Sequence, residues 1–285
     1  MLENGIAVIG STTIDKIVKN EHCIFKLGGA TTYSGVTYRR HNLAVRVVSN
    51  VADQDMVIVE KLNQERIIVD SGETKKTTRF VNYVGDDDHR QRLTAKAAPI
   101  KGNQIAATLN FVDGIHLGPL HPKDIEPSGI KILKDSKLPV FLDIQGYTRQ
   151  VENEIVHAVV SPELSEALRV SQVAKANEPE LQAMLGFYRM PLEDVITRFE
   201  IKEFVVTLGE KGGYVKDSRG DEIQYPAEAV QAFDDSTGAG DVFFAAYIVG
   251  RFLNKEQIPQ ACTYAAKLSA QQISGNFISP AFLQL

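Results

Sequence analysis

The chain has 285 residues, of which 44% are hydrophobic and 24% charged, an ordinary composition for a globular protein with a sizeable core. Lys and Arg number 31 against 36 Asp and Glu, a formal net charge of −5, so no whole-molecule field draws nucleic acid or an anionic membrane. Any polyanion must be held locally, by backbone amides and a few placed cations. The longest clean apolar run, residues 242–250, is about half a membrane span. The opening Met-Leu-Glu-Asn-Gly lacks the basic region of a secretory signal. Cys23 and Cys262 share no ligand-like spacing and cannot form a disulfide framework, so reduced thiols in a cytoplasmic protein are expected.

Residues 5–10, Gly-Ile-Ala-Val-Ile-Gly, read as a buried parallel strand ending in glycine. A helical-looking segment at 29–42 and a β-branched run at 44–49 complete a strand–crossover–strand unit. Residues 14–25 and 66–97 break this rhythm. Their short alternating runs, such as Arg66-Ile-Ile-Val-Asp70 and Thr77-Thr-Arg-Phe-Val-Asn-Tyr83, predict exposed antiparallel strands that leave the main sheet as a small lid. Apolar runs follow at 111–117, 138–144, 172–176 and 203–208, mostly separated by helical stretches. Such alternation predicts a mainly parallel sheet with helices on both faces. The chain closes with two helices, 238–253, apolar nearly all round and hence buried, and about 257–273, rich in small residues. There is no internal repeat or Pro/Ser linker. Residues 1–285 are therefore expected to form one α/β domain whose lid comes from about 12–26 and 66–98.

The strongest local signal is Asp235-Ser-Thr-Gly-Ala-Gly-Asp241 directly before the buried helix. Gly238, Ala239 and Gly240 let a ligand approach the backbone, and at a helix N-terminus their N–H groups point outward with the positive end of the dipole. Asp241 suits a first helical turn even without a function, as carboxylates cap helices. A plain capped helix, however, has no need of Gly-x-Gly.

This heptapeptide resembles the C-terminal signature of the ribokinase-like sugar and nucleoside kinases, the PfkB family, and further elements fall in that family's order. The segment from Gly10 to Asp15 resembles the first strand with its substrate-binding aspartate, and Gly28-Gly29-Ala30 the double-glycine signature. Asn177-Glu-Pro-Glu180 resembles the Asn-x-x-Glu motif near magnesium and phosphate, and Thr207-Leu-Gly-Glu-Lys-Gly212 the nucleotide-binding Thr-x-Gly-x-x-Gly. Two departures bear on acceptor specificity. The family's asparagine after the double glycine is absent from Gly-Gly-Ala-Thr-Thr-Tyr-Ser, and Val51-Ala-Asp-Gln-Asp-Met56 is a poor Gly-x-Asp-x-x-Gly. Leu27-Gly-Gly-Ala-Thr-Thr, Thr77-Thr-Arg-Phe80 and Asp143-Ile-Gln-Gly-Tyr-Thr-Arg149 look most like the myo-inositol kinase branch.

The resemblance implies a ribokinase-like three-layer fold, ATP as phosphoryl donor, Mg²⁺, a small polyol, sugar or nucleoside acceptor, and a homodimer formed through the lid. It casts Asp241 as general base beside an anion hole at residues 238–240. Asp15, Gly28, Gly29 and Gln145 would bind substrate together with Asp241. Asn177, Thr207, Gly209, Gly212, Gly238 and Gly240 would bind nucleotide, and Glu180 would hold magnesium through water. Spacing alone allows Asp15 to be a turn residue after a strand. Asp143, Gln145 and Arg149 can equally bind a ligand at the sheet edge or belong to a surface loop. His116 and His121 flank Gly-Pro-Leu without the Cys or Glu partners expected of a zinc site. No Gly-Lys-Ser/Thr occurs and no Gly-x-Gly-x-x-Gly follows the first strand, which disfavours P-loop and dinucleotide-binding enzymes. Two alternatives stay open, a nucleoside kinase of the same family and a non-catalytic nucleotide- or sugar-binding sensor.

Overall fold

β1 (Gly5–Ile9) is buried along its whole length, as expected of a central strand covered on both faces. The computed structural model describes residues 5–19, 22–83, 90–230 and 235–285. After β1 the chain runs through β2 (Thr13–Lys19), β3 (His22–Gly28), α1 (Ala30–Arg40), β4 (Ala44–Val48), α2 (Val57–Gln64), β5 (Ile67–Asp70), β6 (Thr78–Tyr83) and β7 (Gln91–Ala95). There follow α3 (Gly102–Leu109), β8 (Gly114–Leu117), α4 (Pro127–Ser136), β9 (Val140–Asp143), β10 (Arg149–Glu152), β11 (Ile155–Ala158), α5 (Leu164–Val170) and β12 (Val173–Asn177). The last third adds α6 (Glu178–Tyr188), α7 (Leu192–Phe199), β13 (Glu203–Thr207), β14 (Gly213–Asp217), β15 (Glu222–Tyr225), α8 (Ala239–Ile248) and α9 (Ile258–Ile273).

Among the described residues nine strands form the main sheet in the order β15-β14-β13-β12-β9-β8-β1-β4-β5, parallel from β13 to β5 and antiparallel beyond β13. Alternate residues feed two apolar cores. Val8, Val45, Phe141, Val173 and Val205 face α1, α2, α8 and α9. Ile9, Val48, Leu142, Ala174 and Phe204 face α3 to α7. The expected mainly parallel α/β sheet between two helical layers is thus present. Because the strands are parallel, Gly10, Asp143, Asn177 and Thr207 converge at one carboxyl edge, where α/β sheets bind ligands. The helix expected over 238–253 runs as α8 and then widens into a π-helical turn, Val249–Leu253.

A second sheet, β10-β11-β7-β6-β2-β3, forms the lid. It differs from the expected one in three places. Its strands are not all antiparallel, because β2 and β6, far apart in the chain, pair in parallel. Residues 67–70 belong to the edge of the main sheet, where β5 pairs in parallel with β4. An edge strand shows one side to water, with Ile67 fully buried and Ile68 51% exposed, so its sequence alternates like a lid strand. Conversely, the β10–β11 hairpin adds a third stretch, joined to β7 through Ile155 and Arg92. Residues 20–21 and 84–89 of the expected lid lie outside the described residues. Neither cysteine is paired. No described helix is long and apolar enough to cross a membrane.

Candidate active site

The 235–241 loop is fixed before its chemistry begins. The Asp235 carboxylate accepts hydrogen bonds from the Thr237 N–H (2.9 Å) and hydroxyl (2.6 Å), and pairs with Lys26 of β3 (2.9 Å). The loop is thereby tied to the lid. Gly238 adopts φ +77° with its Cα against the Tyr33 ring of α1; a Cβ there would lie 2.3 Å from a ring carbon, so glycine is required for both reasons. Ser34 and Ser269 donate to the carbonyls of Asp241 (3.4 Å) and Ala239 (3.1 Å), anchoring the start of α8 to α1 and α9. The Ala239 N–H is engaged by the Ser236 carbonyl (3.2 Å). That leaves the N–H groups of Gly238, Gly240 and Asp241 without an acceptor among the described residues, a cradle for an anion.

Two cavities meet at this cradle. One, of about 330 Å³, lies under the lid and is lined by Asp15, Gly29, Tyr33, Phe80, Asn82, Gln91, Gln145, Arg149, Lys175 and Asp241. The other is a more apolar groove of about 700 Å³ lined by Thr207, Gly209, Gly212, Tyr225, Val230, Phe243, Ala266, Ala270 and Ile273. Asn177, Thr207 and Gly240 line both. Asp15, on β2, holds its carboxylate toward the first cavity with a bond from the Thr13 hydroxyl (2.7 Å). Gly28 does not line that cavity. It makes room for Asp15, whose carboxylate oxygen would lie 2.2 Å from a Cβ at Gly28. Gly29 caps α1 at φ +88°, where a Cβ would strike the Ser11 carbonyl at 2.3 Å.

Burial, reinforced by the nearby Asp143 carboxylate and opposed by Lys175 and Arg149, pushes the Asp241 carboxyl up to about 7. Burial likewise raises Asp15 to about 6. Lys175, paired with Asp143 at 2.8 Å, is a buried cation that sequence reasoning did not single out. Burial opposes its charge, but the carboxylates of Asp143, Glu180 and Asp241 outweigh that and hold it protonated. The available signal was a lysine inside the otherwise uncharged strand Val-Ala-Lys-Ala-Asn, two residues before Asn177. Tyr33, within the segment that lacks the asparagine, packs its ring against Gly238 of the anion cradle.

Asn177 and Glu180 close a reciprocal capping box on α6, each accepting the other's backbone N–H at 2.9 Å. Among the described residues only one Glu180 oxygen is engaged, and burial of the carboxylate raises its pKa. A hydrated Mg²⁺ fits there, since this ion keeps its waters and needs only one or two protein carboxylates plus phosphate oxygens. No described group of three or more His, Cys, Asp or Glu could hold a metal alone. His116 is a buried β8 residue bonded through Nδ1 to the Tyr38 hydroxyl (2.9 Å), and His121 lies 3.6 Å from Asp124.

A parallel sheet, a β lid and a glycine cradle at a buried helix N-terminus define the ribokinase-like class. Residues 136–276 match the pfkB family carbohydrate kinase model. Over 158 residues the chain is 26% identical to a ribokinase of Arabidopsis thaliana, a region covering 53% of this chain and 38% of that relative's length. It superposes on a pyrophosphate-dependent kinase in the ribokinase family with TM-score 0.81 and 21% identity, covering 96% of each chain. With Thermotoga maritima ribokinase the TM-score is 0.77 and the identity 20%, over 98% of each. The C-terminal half of the chain is thus similar to the pfkB carbohydrate kinases, and the fold is ribokinase-like throughout.

Proposed function

We propose that this protein transfers the γ-phosphoryl group of ATP to a hydroxyl of a small polyol or sugar, of the size of myo-inositol, a pentose or a hexose. One observation carries the reading. Asp241, without a hydrogen-bond partner for its carboxylate among the described residues, stands beside the free amides of residues 238 and 240, where the two cavities meet. A hydroxyl oriented by Asp15 in the smaller cavity can give its proton to Asp241 while its oxygen attacks phosphorus. The bond from phosphorus to the β-phosphate oxygen breaks, ADP leaves, and the amides stabilise charge on the transferring oxygens. Mg²⁺, when held near Glu180, neutralises phosphate charge. A carboxylate poised near neutrality is suited to take that proton and is of little use to a sensor that only binds.

The acceptor cavity favours a polyol. Asp15, Asn82, Gln91, Gln145 and Arg149 surround it with polar groups, and about 330 Å³ leaves little room for a base as well as a sugar. The apolar groove favours a nucleotide donor, since Val230, Phe243, Ala266 and Ile273 offer nothing to bare pyrophosphate but would cover an adenine ring. The test is a panel of myo-inositol, ribose, fructose, adenosine and cytidine, each with ATP or pyrophosphate, followed by ³¹P NMR. Turnover of a polyol or sugar with ATP is expected. Turnover of nucleosides alone would replace the acceptor assignment, pyrophosphate-only turnover the donor assignment, and binding without turnover would leave the sensor.

A further inference from the structure

Arg149 opens β10, the strand by which the chain passes from the carboxyl edge of the main sheet into the lid. Its backbone is held from both sides. It pairs with Ala158 of β11, and the short 3₁₀ turn before it is closed by the Gln145 N–H donating to Asp143 (3.0 Å) and the Thr148 hydroxyl donating to the Gln145 carbonyl (2.9 Å). The guanidinium is a different matter. It makes neither an ion pair nor a hydrogen bond among the described residues, although the carboxylates of Glu180, Asp143, Asp241 and Asp15 all act on it through space. Burial lowers its pKa, and those carboxylates oppose the fall. The neighbouring cations are committed, Lys175 to Asp143 and Lys26 to Asp235.

A guanidinium carries five donors, and those of Arg149, engaged by no protein acceptor among the described residues, stay open to a ligand in the cavities it lines. The position of Arg149 says which ligand. It lines the acceptor cavity and also a cleft of about 730 Å³ between β11 and the start of α6. Asn177 lines both of these and the donor groove, so the three spaces converge within reach of one side chain. The group that must cross this convergence is a phosphoryl group, and a planar two-pronged donor matches two of its oxygens.

We propose that Arg149 is a further catalytic residue, its guanidinium binding the phosphoryl group as it passes from ATP to the acceptor hydroxyl. This rests on the phosphotransferase reading above. Arg149 neither gains nor loses a proton in the step: the acceptor oxygen bonds to phosphorus, the bond to the β-phosphate oxygen breaks, and Asp241 takes the hydroxyl proton. The amides of the cradle come from α8, whereas the guanidinium comes from a lid strand. The full set of donors therefore exists only when the lid sits over the acceptor, which couples acceptor binding to transfer and limits ATP hydrolysis in its absence.

The test compares Arg149→Met, Arg149→Lys and Arg149→Ala with the parent, using whichever acceptor the panel identifies. Arg149→Met should lower kcat by about 10²–10³ while KM for the acceptor moves less than about threefold. Arg149→Lys, a point charge without the fork, should fall between. Ethylguanidinium, which can enter through the open cleft, should restore Arg149→Ala by at least about tenfold, as expected when the lost group acts through its charge and donors. Unfolding midpoints should stay within about 3 °C of the parent because no ion pair or hydrogen bond among the described residues is lost. The proposal is overturned if Arg149→Met keeps kcat within about threefold, or if the loss comes with a lowered midpoint and no rescue, the pattern of a structural role. A parent that turns over no hydroxyl acceptor with ATP would overturn the phosphotransferase reading itself, a result separable from either of these.

Discussion

At the scale of single residues the site is governed by how it handles buried charge. The Asp241 carboxylate gains no hydrogen bond among the described residues to offset its burial, and its pKa rises from an ordinary 3.8 to about 7. If it is the proton acceptor, kcat/KM should climb with pH through an apparent value near 7 and level off above it. The stability consequence has a definite sign. Between the unfolded and folded values the native chain holds a proton that the unfolded chain has released, so stability falls as pH rises across that window. Asp15, raised to about 6, adds to the same slope. Asp241→Asn should therefore lower kcat by about 10²–10⁴, leave ATP affinity near the parent's, and match or exceed the parent's unfolding midpoint above neutral pH. Near-parental turnover, or a pH profile flat through neutrality, would remove Asp241 from the role. Asp241 and its cradle were legible in the sequence because glycines directly before a buried helix have few other uses. Which amides are free was not, since the Ser236 carbonyl takes the Ala239 N–H only in three dimensions. Nor was Lys175, whose partner Asp143 lies on a neighbouring strand and far away in sequence.

Among the elements, α8 connects site and core, and each end has its own anchor. Its start rests on Tyr33, and its far end reaches Glu203 at the beginning of β13. The Tyr247 hydroxyl donates to Glu203 at 2.6 Å, and Arg251 meets the same carboxylate through Nε (3.1 Å) and a second nitrogen. Arg251 lies in the π-helical turn, so the widened turn coincides with the place where a buried carboxylate must be satisfied. Glu203→Ala would strip two side chains, with three donor groups between them, of their acceptor. Arg251 retains some solvent and the Glu256 carbonyl, so a cost of about 1–3 kcal/mol is expected, toward the low end, read by urea titration with KM for both substrates little changed. An unchanged midpoint would show that the network does not anchor α8. The elements foreseen from sequence were those with continuous apolar runs. β5 and the β10–β11 hairpin were misplaced or missed because an exposed main-sheet edge and a lid strand carry the same alternation, and only the parallel pairing of β5 with β4 tells them apart.

For the whole molecule the unresolved demand is the lid. Asp15, Phe80 and Leu93 share one of its faces by register, and Phe80, Leu93 and Leu120 bury a small apolar cluster at its base. Farther out the same face carries Ile17 and Ile24, paired across β2 and β3, and Ile24 is 44% exposed. A small sheet with bare apolar positions gains stability by packing against another surface. The expected surface is the lid of a second copy, giving a homodimer that would also help keep water from the phosphoryl group. Light scattering should report a dimer for the parent, and Ile24→Lys should shift it toward monomer. Ile68→Lys is the matching control: Ile68 is as exposed, but it sits on β5 at the edge of the main sheet, away from the lid face, and its substitution should leave the dimer intact. Phe80→Lys places a charge in the buried cluster and should unfold the lid rather than merely separate subunits. A parent that is monomeric at high concentration would refute the dimer and require the lid to be stabilised by the catalytic cleft alone, without disturbing the assignment of the cradle or of Asp241.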